Sequence, residues 1–119
     1  MSTHPMFEQI QGEIPGYAAA AFGNLKSGTF VSHGLPGFDL LPLREVLLGQ
    51  LTASDALYEG LGGSIDFGSN DEVLLSATKG YLLARIQHDR KAFVVVQLKA
   101  SGNLGYLRFK MRDYLRVAD

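Results

Sequence analysis

The chain has 119 residues, no cysteine, a net charge of −1 and a 46% hydrophobic, 19% charged composition. That length allows one domain with one modest core, over residues 1–119. The absence of cysteine excludes a disulfide scaffold and any cysteine-based metal site. The balanced charge gives no global sign of a nucleic-acid or membrane-surface partner. No apolar run reaches the length of a membrane span, and the N-terminus lacks a basic segment followed by an apolar one. A cytoplasmic protein is expected.

The first element is a short helix. Pro5 suits its first turn, Thr3 or His4 can cap it, and Met6, Phe7, Ile10 and Ile14 recur at helical spacing until Pro15-Gly16 ends it. "YAAAAF" (Tyr17–Phe22) is ambiguous by propensity, because alanine favours helix. Its place before "GNLKSG" and the β-branched "TFVSH" argues for a hairpin of strands Tyr17–Phe22 and Thr29–His33. Alanine on both strand faces would let helices pack close to the sheet.

After the loop "HGLPGF", Asp39 can cap a helix from about Leu40 to Leu61, with a break near Ser54 and an end at Gly62-Gly63. Three strands follow, "EVLLSAT" (Glu72–Thr78), "YLLARIQH" (Tyr81–His88) and "AFVVVQL" (Ala92–Leu98), with connections short enough for hairpins. The third is apolar on both faces, so it should be central. The last helix runs from Asn103 to about Val117, with Leu104, Leu107, Met111 and Leu115 as its core stripe. The order αββαβββα, with hairpin-joined strands, implies a five-stranded antiparallel sheet with helices on both faces: a three-layer α+β domain.

Several stretches resemble chemistry. Gly102-Asn103-Leu104-Gly105 follows a strand and opens a helix, as in nucleotide-binding βαβ units. It is a bare G-x-x-G with room after it for one helix and no returning strand, so a turn capped by Asn103 is expected. "DFG" (Asp66–Gly68) lacks every other kinase element, and Asp66, Asn70, Asp71 and Glu72 do not have calcium-loop spacing. His4, His33 and His88 have no metal-ligand spacing, and no G-x-S-x-G elbow exists. No cofactor, metal or catalytic residue is assigned, and a non-enzyme is expected. Arg108, Arg112 and Arg116 form a one-turn-spaced stripe on the last helix, suited to an acidic partner, to anionic lipid or simply to water.

Two features ask for a protein partner. In the middle helix, Leu40, Leu43, Val46, Leu47, Leu51, Leu57 and Leu61 count as one core stripe at 100° per residue. Leu41 and Leu48 fall outside it, among Arg44, Glu45, Thr52, Asp55 and Glu59, and so read as a second contact surface. The "EVLLSAT" strand reads as an edge with no proline and no inward charge, which invites pairing with another chain, most simply as a two-fold dimer.

The segments "IPGYAAAAFGNLKSGTFVSHG", "LLGQLTASDALYEGLGG" and "NDEVLLSATKGYLLARIQHDRKAFVVVQLKASGNLGYLRFKM" resemble the roadblock / dynein light chain family, with "NLGYLR" the sharpest part. The resemblance runs from about Met6 to Leu115. The "GNLKSG" hairpin, where the family often has an Asp-Gly turn, and the short first helix depart from the pattern. The resemblance implies sheet order 2-1-5-4-3 and homodimers that join third strands into one sheet with middle helices side by side. Here that edge would be Glu72, Val73, Leu74, Leu75, Ser76 and Ala77. Bacterial members bind a small Ras-like GTPase on the middle-helix face and regulate its nucleotide state, and eukaryotic members are dynein subunits or signalling scaffolds. Transferred, the partner face would hold Leu41, Glu45, Leu48 and Thr52, with Arg44 as its basic residue. The alternative is an adaptor or sensor of the same fold with no GTPase partner.

Overall fold

The computed structural model describes residues 4–61 and 72–118. Helix α1 spans Pro5–Glu13, strands β1 and β2 span Tyr17–Asn24 and Thr29–Gly34, and helix α2 spans Arg44–Gly60. Strands β3, β4 and β5 span Glu72–Ala77, Gly80–Gln87 and Ala92–Lys99, and helix α3 spans Leu104–Ala118. All neighbouring strands are antiparallel, in the order β2-β1-β5-β4-β3. The element order, the sheet order and the central place of β5 are those expected.

Local chemistry sets the element ends. His4 Nδ1 accepts from the Met6 amide at 3.1 Å and caps α1, with Pro5 in its first turn. In the β1–β2 turn, Asn24 Oδ1 accepts from the amides of Lys26 (2.8 Å) and Ser27 (3.2 Å), so an Asx turn replaces an Asp-Gly pair. Asp39 Oδ1 accepts from the Leu41 amide at 3.0 Å, at the entry to a 3-10 turn, Leu41–Leu43, and so does not cap the α-helix itself. Helix α2 then starts at Arg44 and runs through Ser54 without the expected break. The expected stop at Gly62-Gly63, the "DFG" stretch and the acidic residues Asp66, Asn70 and Asp71 lie outside the described residues.

Asn103 Oδ1 accepts from the Tyr106 amide at 2.9 Å and caps α3. Next to this cap, Gly102 is approached closely by Gly16. A Cβ on Gly16, whose φ is +83°, would lie 2.3 Å from the Gly102 Cα. The α1–β1 and β5–α3 turns therefore cross backbone to backbone. The Gly102–Gly105 stretch serves this crossing and a helix cap.

The two sheet faces carry separate cores. Helices α1 and α3 bury Met6, Phe7, Ile10, Leu107, Met111 and Tyr114 against Ala20, Val94 and Val96. Leu40 and α2 residues Leu47 and Leu51 pack against Ala19, Ala21, Phe93 and Val95. Ala18 to Ala21 are fully buried, which is how short side chains let helices approach both faces of β1.

Candidate functional site

Helix α2 differs from the sequence reading in which residues face the core. Leu40, Leu47 and Leu51 do, but Leu43, Val46, Leu57 and Leu61 are 46%, 62%, 62% and 42% exposed. Their angular positions lie to one side of the Leu47–Leu51 line, beyond the contact with the sheet. Leu48 lies on the other side, half-buried and packed on the same core. The place expected of Leu48, outside the core stripe, is thus corrected. The apolar arc is wider than the buried one, and periodicity cannot say where within it the helix touches the sheet.

The rest of the expected partner face divides. Leu41 is 55% exposed, and Glu45 and Thr52 are exposed. Arg44 is half-buried, donates to the Gly28 carbonyl at 2.8 Å and pairs with Glu45, so it anchors α2 to the β1–β2 turn.

Strand β3 is the sheet edge, hydrogen-bonded to β4 and to no other strand among the described residues. Glu72 and Val73 are half-buried, while Leu74, Leu75, Ser76 and Ala77 are exposed, Leu75 at 62%. Arg108 holds the Glu72 carboxylate at 2.9 to 3.1 Å and ties the strand to α3. Between α2 and β3–β4 runs a groove of about 440 Å³, walled by Leu43, Val46, Leu47, Leu51, Val73, Leu74 and Leu82. A second hollow of about 290 Å³ shares Leu43, Leu75 and Leu82 with it. The exposed side of α2, the groove and the open strand edge are thus one apolar surface.

At its C-terminal half, α2 is fastened by a polar cluster that carried no sequence signal. Asp55, 8% exposed, accepts from His88 Nδ1 at 2.6 Å and from Lys91 Nζ at 2.7 Å. Lys91 also reaches Glu59 at 2.5 Å, and the Tyr58 ring stacks on His88 at 3.9 Å between centroids. Burial alone would raise the Asp55 pKa, but the Lys91 and His88 hydrogen bonds outweigh it and hold it below the usual value. Asp55 and Glu59 in turn raise the Lys91 pKa. His88 Nε2 is buried, with no hydrogen-bond partner among the described residues. Its chemistry is that of a latch between α2 and the β4–β5 turn.

The other histidines are also structural. Tyr17 Oη lies 2.8 Å from His33 Nδ1, and burial pushes the tyrosine pKa up to about 12. His4 packs edge-on against Phe22. Among the described residues, no three His, Asp or Glu side chains are placed to hold a metal ion. No described helix is long and apolar enough to cross a membrane.

Solved structures with the same arrangement identify the architecture. This is the Roadblock/LC7 fold. The Roadblock/LC7 domain from Streptomyces avermitilis superposes with a TM-score of 0.68 at 13% identity, covering 98% of this chain and 94% of that one. Myxococcus xanthus MglB gives 0.70 at 17% identity, covering 91% and 84%. MglC from Myxococcus xanthus gives 0.62 at 22% identity, covering 99% and 97%. No family model and no curated protein sequence matches the chain. At these identities the Roadblock/LC7 likeness is one of fold.

Proposed function

We propose that the chain is a homodimeric, non-enzymatic regulator or scaffold that binds a small Ras-like GTPase. The observation that carries this reading is the half-covered sheet face. Five strands about 4.8 Å apart make a face roughly 24 Å wide, and one helix about 10 Å across cannot cover it. The shortfall lies where Leu43, Val46 and Leu82 line the open groove beside β3. A second copy, paired antiparallel along Glu72–Ala77, brings its own α2 alongside and closes both grooves at once. The Roadblock/LC7 likeness, including that to MglB and MglC, supports this assembly.

The GTPase would dock on the polar side of α2, through exposed Leu41, Glu45 and Thr52, with Leu48 and Arg44 at the floor. Regulation would follow from tighter binding to one nucleotide state, which shifts the population toward it. The test is sedimentation followed by titration with a small Ras-like GTPase in its GDP and GTP-analogue forms. Wild type should run as a dimer and bind one form more tightly. Leu75→Lys should be a folded monomer, and Leu41→Asp a dimer with weakened capture. Equal affinity for both forms would reduce the role to scaffold, and no binding would refute the GTPase partner.

The groove favours one alternative, an adaptor or sensor whose apolar pocket takes a small ligand. That reading predicts a monomer whose groove binds an apolar fluorophore, and a dimer that excludes the probe rules it out.

A further inference from the structure

The face of α3 that points away from the sheet combines features that the GTPase reading does not use. Phe109 is 75% exposed, the most exposed large hydrophobic side chain among the described residues. The Tyr106 ring stacks on it with centroids 6.3 Å apart, and Val117, 55% exposed, extends the apolar row. Arg108, Arg112 and Arg116 run beside that row at one-turn spacing. Arg108 is bridged to Glu72 and Arg116 to Asp113, while exposed Arg112 has no partner among the described residues. A shallow hollow of about 360 Å³ joins the two rows, lined by the three arginines, Phe109 and Asp113.

The net charge of −1 conceals this asymmetry, since α3 carries four basic residues and one acidic one. An aromatic row flanked by arginines is the composition of a helix that lies in a membrane interface, with rings at the acyl boundary and guanidinium groups among phosphates. A bound peptide would need walls or a strand edge. This face is the outward side of a helix, with only the shallow hollow, and suits a broad, flat anionic surface.

We infer that the outer face of α3 is a peripheral docking surface for an anionic lipid bilayer, with Phe109 inserting and Arg112 and Arg116 holding lipid phosphates. The apolar row is short, so a single copy binds weakly and reversibly. A two-fold axis perpendicular to the sheet, as edge pairing of β3 requires, places both α3 helices on the side opposite both α2 helices. This second step rests on the proposed dimer: bivalent attachment would then hold a partner on the far side of the sheet near a membrane.

The test is co-sedimentation of the full chain with phosphatidylcholine vesicles, with and without about 30% phosphatidylserine. Binding should require the anionic lipid and fall as salt rises from about 0.1 M to about 1 M, where screening shortens to roughly 3 Å. Arg112→Glu should lower partitioning at least about fivefold, and Phe109→Ser should lower it with less change in salt dependence. Both sites are exposed, so circular dichroism and sedimentation should match wild type. Equal binding to neutral vesicles, no binding to anionic ones, or an unaffected Arg112→Glu would each overturn the proposal. So would capture of polyglutamate without vesicle binding, which would assign the face to an acidic protein. A wild-type monomer that still binds anionic vesicles would remove the dimer and leave this surface standing.

Discussion

The two faces of the sheet are covered unequally. On one, α1 and α3 close over a dense layer containing Phe7, Met111 and Tyr114, all at or below 1% exposure. On the other, α2 works alone among the described residues, burying Leu47 and Leu51 and leaving Val46 and Leu57 62% exposed. Both faces are built on the same strands, with Val94 and Val96 of β5 turned to the first and Phe93 and Val95 to the second. The difference therefore lies in the number of helices supplied. A face given two helices is finished within the chain. A face given one reads as unfinished among the described residues, and the proposed dimer would supply the missing cover.

The contrast can be broken most forcefully on the closed side. Phe7→Ala should cost about 3–5 kcal/mol, measured by urea denaturation, because its neighbours are too tightly packed to collapse into the space. Next, Asp55→Ala should cost about 2 kcal/mol, since it strands His88 Nδ1 without its acceptor and leaves Lys91 with Glu59 alone. It should loosen the C-terminal half of α2, seen as faster amide exchange there.

The same latch predicts a pH profile. The folded Asp55 pKa lies below its reference of 3.8, so its contribution is present above that value and is lost as pH falls through the folded pKa. The folded Lys91 pKa lies above 10.5, so its contribution is present below that value and is lost as pH rises through the folded pKa. Stability measured across pH should hold level between these limits and drop beyond each, with a shallower acid limb in Asp55→Asn. The smallest effect on the monomer belongs to the open side. Val46→Asp should change its folding stability by no more than about 0.5 kcal/mol, yet prevent self-association in sedimentation. A folded variant that still dimerises would mean the open face is not the interface.

The strands, their hairpin pairing and the central place of β5 were legible from β-branched runs, short turns and a doubly apolar β5, while the full order 2-1-5-4-3 came from the family resemblance. Helix α2 was legible as a helix, but not in its orientation. Leu43, Val46, Leu57 and Leu61 are as apolar as Leu47 and Leu51, and only contact with the sheet separates them. Leu48 illustrates the consequence. A charge there would enter the edge of the core, so Leu48→Asp tests stability as well as partner binding. The Asp55 latch was invisible because its partners lie 33 and 36 residues away, and a buried aspartate has no signature in a helix. Tyr114 was missed in the α3 stripe because a hydroxyl argues for solvent. In the fold that hydroxyl reaches Glu13 at 2.7 Å.

The crossing of Gly16 and Gly102 has a kinetic consequence. The β1–β2 and β3–β4–β5 hairpins are local and can form early, but β1 meets β5 across most of the chain. Closing that seam carries the largest loop entropy, and the crossing turns can engage only as it shuts. During synthesis, the alanine-rich β1 strand waits for β5 to leave the ribosome before either of its faces is fully covered. Substitutions along the seam, such as Val95→Ala, should slow refolding, whereas Leu57→Ala at the open surface should leave the folding rate unchanged.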